Sequence, residues 1–182
     1  MSTEALAKSM KALRAEAATA IGTYHARRDA IRQDRLLSPE GKDEQIASLF
    51  NSTTAHVQQL AAKEEKLLAD KHESLQQSLV TQLGSGGSDI IAMRDAEDRA
   101  DRLEKSDEAE RVLERAIRVN DRSLALAIVR RASDAGWRNV IARASVAYPT
   151  VGETLRDIDD VVDEINSPGP SLFRSMAYSV SK

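Results

Sequence analysis

The sequence contains no cysteine, and it is poor in aromatic side chains. Without cysteine the chain can form no disulfide, offers no thiol nucleophile and cannot build a thiolate metal site. Aromatic residues make up 3% of the 182 residues, whereas 41% are hydrophobic and much of that share is alanine. Such a chain buries small side chains between closely spaced helices, because it has few large anchors for a globular core. The composition therefore favours an elongated helical protein.

The chain also lacks a strong excess of one charge and any long apolar run. Lysine and arginine together number 26 against 29 aspartates and glutamates, so the net charge is only -3. This balance gives no indication of a nucleic-acid or membrane partner. Glu4, Lys8 and Lys11 interrupt the N-terminal residues, and no run approaches the length of a membrane span. We therefore expect no signal peptide and no membrane association.

No catalytic constellation is recognisable. The three histidines, His25, His56 and His72, do not have metal-ligand spacing. The carboxylates of residues 157–164 lie along one predicted helix, without a loop that turns several oxygens inward. The glycines of residues 84–87 lack the Lys-Ser/Thr sequel of a phosphate-binding loop, and no base is placed to activate a serine. We expect no enzyme, no cofactor and no metal site.

The longest uninterrupted helical pattern runs from Ser38 to Leu83, and the rest of the chain is arranged around it. Ser38 is a good N-cap, Pro39 suits the first helical position, and Glu40 places negative charge at the positive end of the helix dipole. The Gly/Ser run after Leu83 ends the pattern. A helix of this length needs a packing partner.

The first helix, from Ser2 to about Asp34, supplies this partner. Only about four residues separate it from the second helix, so the two are predicted to form a coiled-coil-like antiparallel hairpin. The stripe on the second helix continues through Glu64 and Leu67 and then shifts register, as at a coiled-coil stutter. The predicted hairpin seam comprises Leu6, Met10, Leu13, Tyr24, Ile31, Ile46, Phe50, Val57 and Leu60.

The second helix is longer than the first, so its last third is predicted to project beyond the hairpin. Leu75 and Leu79, on this projecting end, are predicted to face another protein. The remaining chain divides into a Gly/Ser joint at 84–88, a charged helix with a small bundle at 89–166, and an extended tail at 167–182. The bundle could equally be a pair of stacked helix hairpins, with Trp137 as its core anchor. The predicted fold class is therefore all-α, with the hairpin at 1–83.

The prolines of the sequence Ser167-Pro168-Gly169-Pro170 are predicted to end the last helix and to release an extended tail. Two interpretations of the tail remain: a disordered end, or a peptide that docks on a neighbouring subunit. The concentration of aromatic residues in this short segment favours docking. The predicted interface residues of the tail are Leu172, Phe173, Met176 and Tyr178.

The decapeptide Ser-Pro-Glu-Gly-Lys-Asp-Glu-Gln-Ile-Ala at 38–47 follows a basic first helix. It resembles a stretch of small helical proteins that are encoded in the virion-structure gene clusters of tailed phages of actinobacteria. The resemblance implies a virion or assembly component of the head, head–tail connector or tail, without enzymatic residues. The unshared end of the second helix, the alanine-rich stripes and the apolar tail all need partners, so we expect a homo-oligomer, a complex with other virion proteins, or both. The location would be the virion if the gene is a phage gene, and the cytoplasm otherwise.

Three alternatives remain beside a virion component. A cytoplasmic assembly scaffold or chaperone-like protein could use the hairpin as an arm. A nucleic-acid-associated helical protein would need a basic face, which only the predicted hairpin tip offers and which aspartates dilute. The basic residues there are Arg27, Arg28, Arg32 and Arg35, and the aspartates are Asp29 and Asp34. The third alternative is an enzyme of a class without recognisable motifs.

Overall fold

The fold is known from a computed structural model, which describes residues 2–83 and 90–182. These ranges contain eight helices and no strand, so the all-α class is confirmed. The helices are α1 (Thr3–Gln33), α2 (Pro39–Leu83), α3 (Ile90–Asp101), α4 (Ser106–Arg118), α5 (Arg122–Ala135), α6 (Arg138–Ala147), α7 (Pro149–Asn166) and α8 (Pro168–Ala177). The predicted joint at 84–88 lies outside the described residues.

The chain divides into two compact units. The first contains Met1–Lys71 and Val161–Lys182, which are the hairpin, the end of α7, and α8. The second contains His72–Asp160, which are the end of α2, helices α3 to α6 and most of α7. Because α2 and α7 each pass from one unit to the other, the unit boundaries do not coincide with the predicted segment boundaries at 83 and 166.

Serine caps begin both helices of the hairpin, and the cap at Ser38 is the one that the sequence predicted. The Ser2 hydroxyl accepts a hydrogen bond from the Ala5 amide at 3.2 Å, and the Ser38 hydroxyl accepts one from the Gly41 amide at 3.1 Å. Each cap satisfies an amide that the first turn of a helix leaves without an intrahelical acceptor. Across the turn, the Lys42 Nζ donates to the Arg32 carbonyl at 3.0 Å. These local bonds set where α1 ends and α2 begins.

The hairpin seam is packed along its length, with its tightest cluster near the middle. Ala17, Val57 and Leu60 are fully buried there, and Leu13 and Ala20 pack against them. Nearer the turn, the Tyr24 ring meets Phe50 edge to face, with 6.0 Å between ring centroids. Of the predicted seam residues, Leu6, Met10, Tyr24, Val57 and Leu60 are buried, and Leu13, Ile31, Ile46 and Phe50 are half-buried.

In the second unit, α5 is the central helix, and it packs against α3, α4 and α6. Six consecutive residues, Leu124 to Val129, are buried, which is the pattern of a helix surrounded on all sides. Gly136 ends this helix at φ 68°, in the left-handed region where glycine is favoured. Gly152 lets α7 approach α6 closely, because a Cβ at this position would lie 2.6 Å from the Ser145 Cβ.

Trp137 does not anchor the core of this unit, contrary to the prediction. It lies at the N-cap of α6 and is half-buried, with the Arg131 guanidinium 5.5 Å from the centre of its ring. The core is instead made of aliphatic residues that α2, α4, α5 and α7 supply. The largest fully buried ones are Leu79, Leu113, Leu126, Ile128, Leu155 and Ile158.

The end of α2 is also placed differently from the prediction. Leu75 and Leu79 were predicted to be exposed and to contact another protein, but they are only 6% and 0% exposed. Further along α2, the Gln82 side-chain amide donates to the Thr154 hydroxyl of α7 at 2.9 Å. The partner of this helix end is therefore supplied by the same chain, and the two leucines are not free to form an interface.

The tail at 167–182 is not extended throughout, because residues 168–177 form α8. Ser167 has the extended backbone that a residue before proline prefers, which separates α8 from α7. Pro168 and Pro170 both fall in the first turn, where the missing N–H groups have no intrahelical acceptor in any case. The prolines therefore end α7 as predicted, but they also begin a new helix. Within 167–182, only Ser167 and the residues after Ala177 are not helical.

Candidate interaction site

Helix α8 has two different sides. Pro170, Arg174 and Ala177 are half-buried on the side towards the rest of the first unit, where α8 packs against α1. Leu172 and Met176 lie four residues apart on the opposite side of the helix, and Phe173 lies beside them with its ring next to Arg14 of α1. Their exposed fractions are 63%, 60% and 67%. This outward apolar surface of α8 is called the α8 patch below.

A buried carboxylate lies under the C-terminal end of the chain. Glu64 occupies a seam position of α2 and is 0% exposed. It accepts hydrogen bonds from the Arg14 Nε, 3.1 Å from its Oε2, and from the Tyr178 hydroxyl, 2.6 Å from the same oxygen. A buried carboxylate without such donors would be strongly unfavourable, so these two side chains stabilise the charge on Glu64.

Arg14, which lies on α1, links this helix to three other elements of the unit. Its Nη2 donates both to Glu64 and to the Glu164 carboxylate of α7, the latter at 2.7 Å. Its guanidinium also lies 5.2 Å from the centre of the Phe173 ring. The hydrogen bond with Glu64 is the largest cause that raises the pKa of Arg14 above its usual value, and Glu164 adds to it. Arg14 therefore holds α1, α2, the end of α7 and α8 together as a permanent cation.

Tyr178 is the first residue after α8, and it completes this polar cluster. Its ring packs against the buried Ala17, Val57 and Leu60, while its hydroxyl reaches Glu64. Burial raises the pKa of the Tyr178 hydroxyl, and the hydrogen bond to Glu64 raises it further. The hydroxyl therefore remains protonated near neutral pH and acts as a donor.

Arg174, in the last turn of α8, holds this helix to the end of α7. Its Nη1 and Nη2 donate to the backbone carbonyls of Glu164 and Ile165, each at 3.1 Å. These carbonyls belong to the last turn of α7, where helical acceptors have no intrahelical donor. Since Arg174 and Tyr178 fasten the C-terminal part of α8 to the rest of the unit, the apolar side chains of the α8 patch are presented in a defined orientation.

Of the predicted interface residues, the structure brings Leu172, Phe173 and Met176 together on one exposed surface. It separates Tyr178 from them and turns this residue inward. Four members of the polar cluster were not predicted: Arg14, Glu64, Glu164 and Arg174. Glu64 had a recognisable signal, because a carboxylate interrupts an otherwise apolar stripe. Arg14 and Arg174 had none, since their partners are distant in the sequence.

Within residues 2–83 and 90–182, no group of three or more metal-ligating side chains lies together. No helix in the same part of the chain is long and apolar enough to cross a membrane. The most distinctive chemistry of the described residues is thus the buried Glu64 with its two donors. Through these donors Glu64 joins α2 to α1 and to the residue that follows α8. The cluster is therefore a docking site for the C-terminal end of the chain.

Removing the Tyr178 hydroxyl tests this docking site. We expect Tyr178→Phe to lower the free energy of unfolding by about 1.5 to 3 kcal/mol, because Glu64 loses a hydrogen bond to a charged acceptor. Chemical denaturation followed by circular dichroism measures this loss. The matched control is Tyr24→Phe, which removes a buried hydroxyl that has no partner among the described residues. That control should be neutral or stabilising, and an equal loss in both variants would contradict the role of Glu64.

The raised pKa of Tyr178 also predicts a pH dependence. The docked tyrosine holds its proton more tightly than the unfolded one, whose pKa is about 10. Its contribution to stability is therefore complete below pH of about 10 and is lost as pH rises above that value. Limited proteolysis of the C-terminal residues should show earlier cleavage as the pH is raised through this window. The Tyr178→Phe variant should not show this increase in cleavage with pH. Identical cleavage profiles for the variant and the parent would contradict the prediction.

Comparison with family models, with curated proteins and with solved structures finds no match for this chain.

Proposed function

We propose that this protein is a non-enzymatic structural component of a phage particle, where repeated copies assemble through the α8 patch. The observation that carries the proposal is the exposed apolar surface formed by Leu172, Phe173 and Met176 on one side of a fastened helix. Neighbouring apolar side chains that remain exposed on an anchored element are typical of protein–protein contact sites.

The fastening of α8 favours binding. Tyr178 holds the end of α8 to Glu64, and Arg174 holds its last turn to the last turn of α7. A partner that covers the α8 patch therefore does not have to order a flexible peptide, which would otherwise weaken the complex. Each large side chain that becomes buried contributes about 1.5 to 3 kcal/mol before the other costs of association are subtracted.

The particle itself is proposed from the resemblance of residues 38–47 to phage virion proteins. In the structure these residues form the capped start of α2 and its first turns, next to the hairpin turn. They are separate in sequence from the α8 patch, so the two lines of support are independent. The partners proposed are other copies of this chain and further proteins of the particle.

Mass spectrometry of purified particles, compared with the lysate from which they came, tests this function. A structural component should be present in the particles at a fixed ratio to the major capsid protein through successive purification steps. Presence in the lysate and absence from particles would overturn the proposal in favour of an assembly scaffold.

Making the α8 patch polar should abolish incorporation. We expect the double variant Leu172→Ser with Met176→Ser to reduce its amount in particles at least about tenfold, since two buried side chains are worth more than 1.4 kcal/mol. Its helical content should be unchanged, because both side chains are exposed. The matched control is Val119→Ser with Val146→Ser, which alters two exposed valines of the second unit. Equal incorporation of the two double variants would contradict a role for the α8 patch.

A further inference from the structure

The last five residues, 178–182, are called the C-terminal segment here, and their alternate side chains face the hairpin. Tyr178 reaches Glu64, Val180 packs against the buried cluster, and the Lys182 Nζ lies 5.3 Å from the centre of the Phe50 ring. Ser179 and Ser181, between them, are exposed. Tyr178 is the C-cap of α8, with φ -111° and ψ 21°, and the residues after it alternate as in an extended chain, in which every second side chain points the same way.

The hairpin surface that receives these side chains is called the docking seat, and it is formed by Ala17, Phe50, Val57, Leu60 and Glu64. The C-terminal segment is held on it by side chains. Its backbone amides at Tyr178 and Ser179 donate to Arg174 and Met176, within the last turn of α8. The fit therefore depends on a tyrosine, a valine and a lysine at alternate positions, which every copy of the chain carries.

A hinge connects α8 to the rest of the unit. Ser167 is the single residue between α7 and α8, and it has an extended backbone. Across this hinge, the two hydrogen bonds of Arg174 to the α7 carbonyls help to keep α8 folded back, together with its packing on α1. If they break, water can hydrogen-bond the freed carbonyls, so opening needs no rearrangement of the hairpin.

We propose that the C-terminal segment exchanges between two copies of this protein, so that the segment of one copy occupies the docking seat of the other. The contacts of Tyr178, Val180 and Lys182 with the docking seat are the same in both arrangements, as in domain swapping. The two arrangements differ in the Arg174 bonds to α7, which only the unexchanged form makes. The proposal rests on the proposed function, because exchange would link copies within an assembly.

Concentration decides which arrangement is favoured. A segment tethered to its own hairpin has an effective concentration in the millimolar range, so dilute copies keep their own segment. Crowding of copies in an assembly removes this advantage. Exchange also carries α8 to the boundary between two copies, where the α8 patch could be covered, and this burial favours the exchanged form.

Because the chain has no cysteine, introduced cysteines can report the exchange. One variant carries Ile21→Cys, beside the docking seat, and another carries Val180→Cys, since both residues pack against the same cluster. A short bis-maleimide should link the two variants into a heterodimer when they are mixed at high concentration, with a yield that rises with concentration. The same cysteines combined in one chain should give a link within the chain when the protein is dilute.

Two further variants make the test specific. Arg174→Gln should raise the yield of heterodimer about tenfold at a given concentration, because it weakens the charge-assisted bonds that keep α8 folded back. Val146→Cys, exposed in the second unit, replaces Val180→Cys as the control and should give only a background yield. Circular dichroism checks that each variant keeps the helical content of the parent.

Exchange is overturned if the mixed variants give no heterodimer at millimolar concentration while the doubly substituted chain links internally. It is also overturned if the doubly substituted chain gives no internal link, since the docking seat would then not hold the segment. If Val146→Cys gives as much heterodimer as Val180→Cys, the links arise from random collisions between copies, and exchange is again overturned. The cross-linking experiments use purified protein, whereas the test of the proposed function uses particles. Either the exchange or the role in the particle can therefore be disproved without the other.

Discussion

Replacing Leu60 with aspartate should lower the free energy of unfolding by at least about 4 kcal/mol. Leu60 is 0% exposed and lies in the tightest cluster of the hairpin seam, with Ala17 and Val57. The substitution removes a buried apolar side chain, which alone costs about 2 to 5 kcal/mol, and adds a charge without a partner. Thermal or urea denaturation followed by circular dichroism measures the loss.

The control for this variant is the neighbouring substitution Gln59→Asp. Gln59 is exposed on the same helix, so the same new side chain should change the free energy of unfolding by no more than about 0.5 kcal/mol. A Leu60→Asp protein with the melting temperature of the parent would show that the two helices do not pair in this register. A large loss in both variants would instead indicate that aspartate disturbs α2 itself.

The second large effect is expected from Arg14→Leu. In the structure, Arg14 and Tyr178 both donate hydrogen bonds to the buried Glu64 carboxylate. The substitution removes the first of these donors and leaves the Tyr178 hydroxyl. Breaking a buried ion pair from one side costs about 3 to 5 kcal/mol, and we expect the lower end because the Arg14 side chain is 21% exposed. The same denaturation experiment measures the effect.

The double variant Arg14→Leu with Glu64→Leu distinguishes a lost attraction from a stranded charge. When both charged partners are replaced by apolar residues, the desolvation cost disappears, and such replacements are often neutral or stabilising. We therefore expect the double variant to recover most of the stability that Arg14→Leu loses. A double variant as unstable as the single one would show that Arg14 acts through its packing on Phe173 or through Glu164.

Local sequence determined the helices and most of their ends. Ser2 and Ser38 begin α1 and α2 because a serine hydroxyl satisfies amides of its own first turn, and Gly136 ends α5 because glycine tolerates the left-handed backbone. The hairpin follows from the same level of information. Two apolar stripes joined by a short turn leave few arrangements other than antiparallel pairing.

The tertiary structure alone decided what each exposed or polar position does. Leu75 and Leu79 are apolar whether a second protein or another helix of the same chain covers them, so the sequence could not distinguish the two cases. The prolines after Ser167 are compatible with an extended segment or with the first turn of a helix. Contacts with residues that are distant in the sequence decide which of the two conformations forms.

The polar cluster shows the same limit most clearly. Arg14, Glu64 and Tyr178 are separated by 50 and 114 residues along the chain, yet they meet within hydrogen-bond distance. A carboxylate in an apolar stripe indicates that some donor must reach it, because an unpaired buried charge is too costly. Which donor does so depends on how α8 folds back over the hairpin, and that is a property of the packed chain.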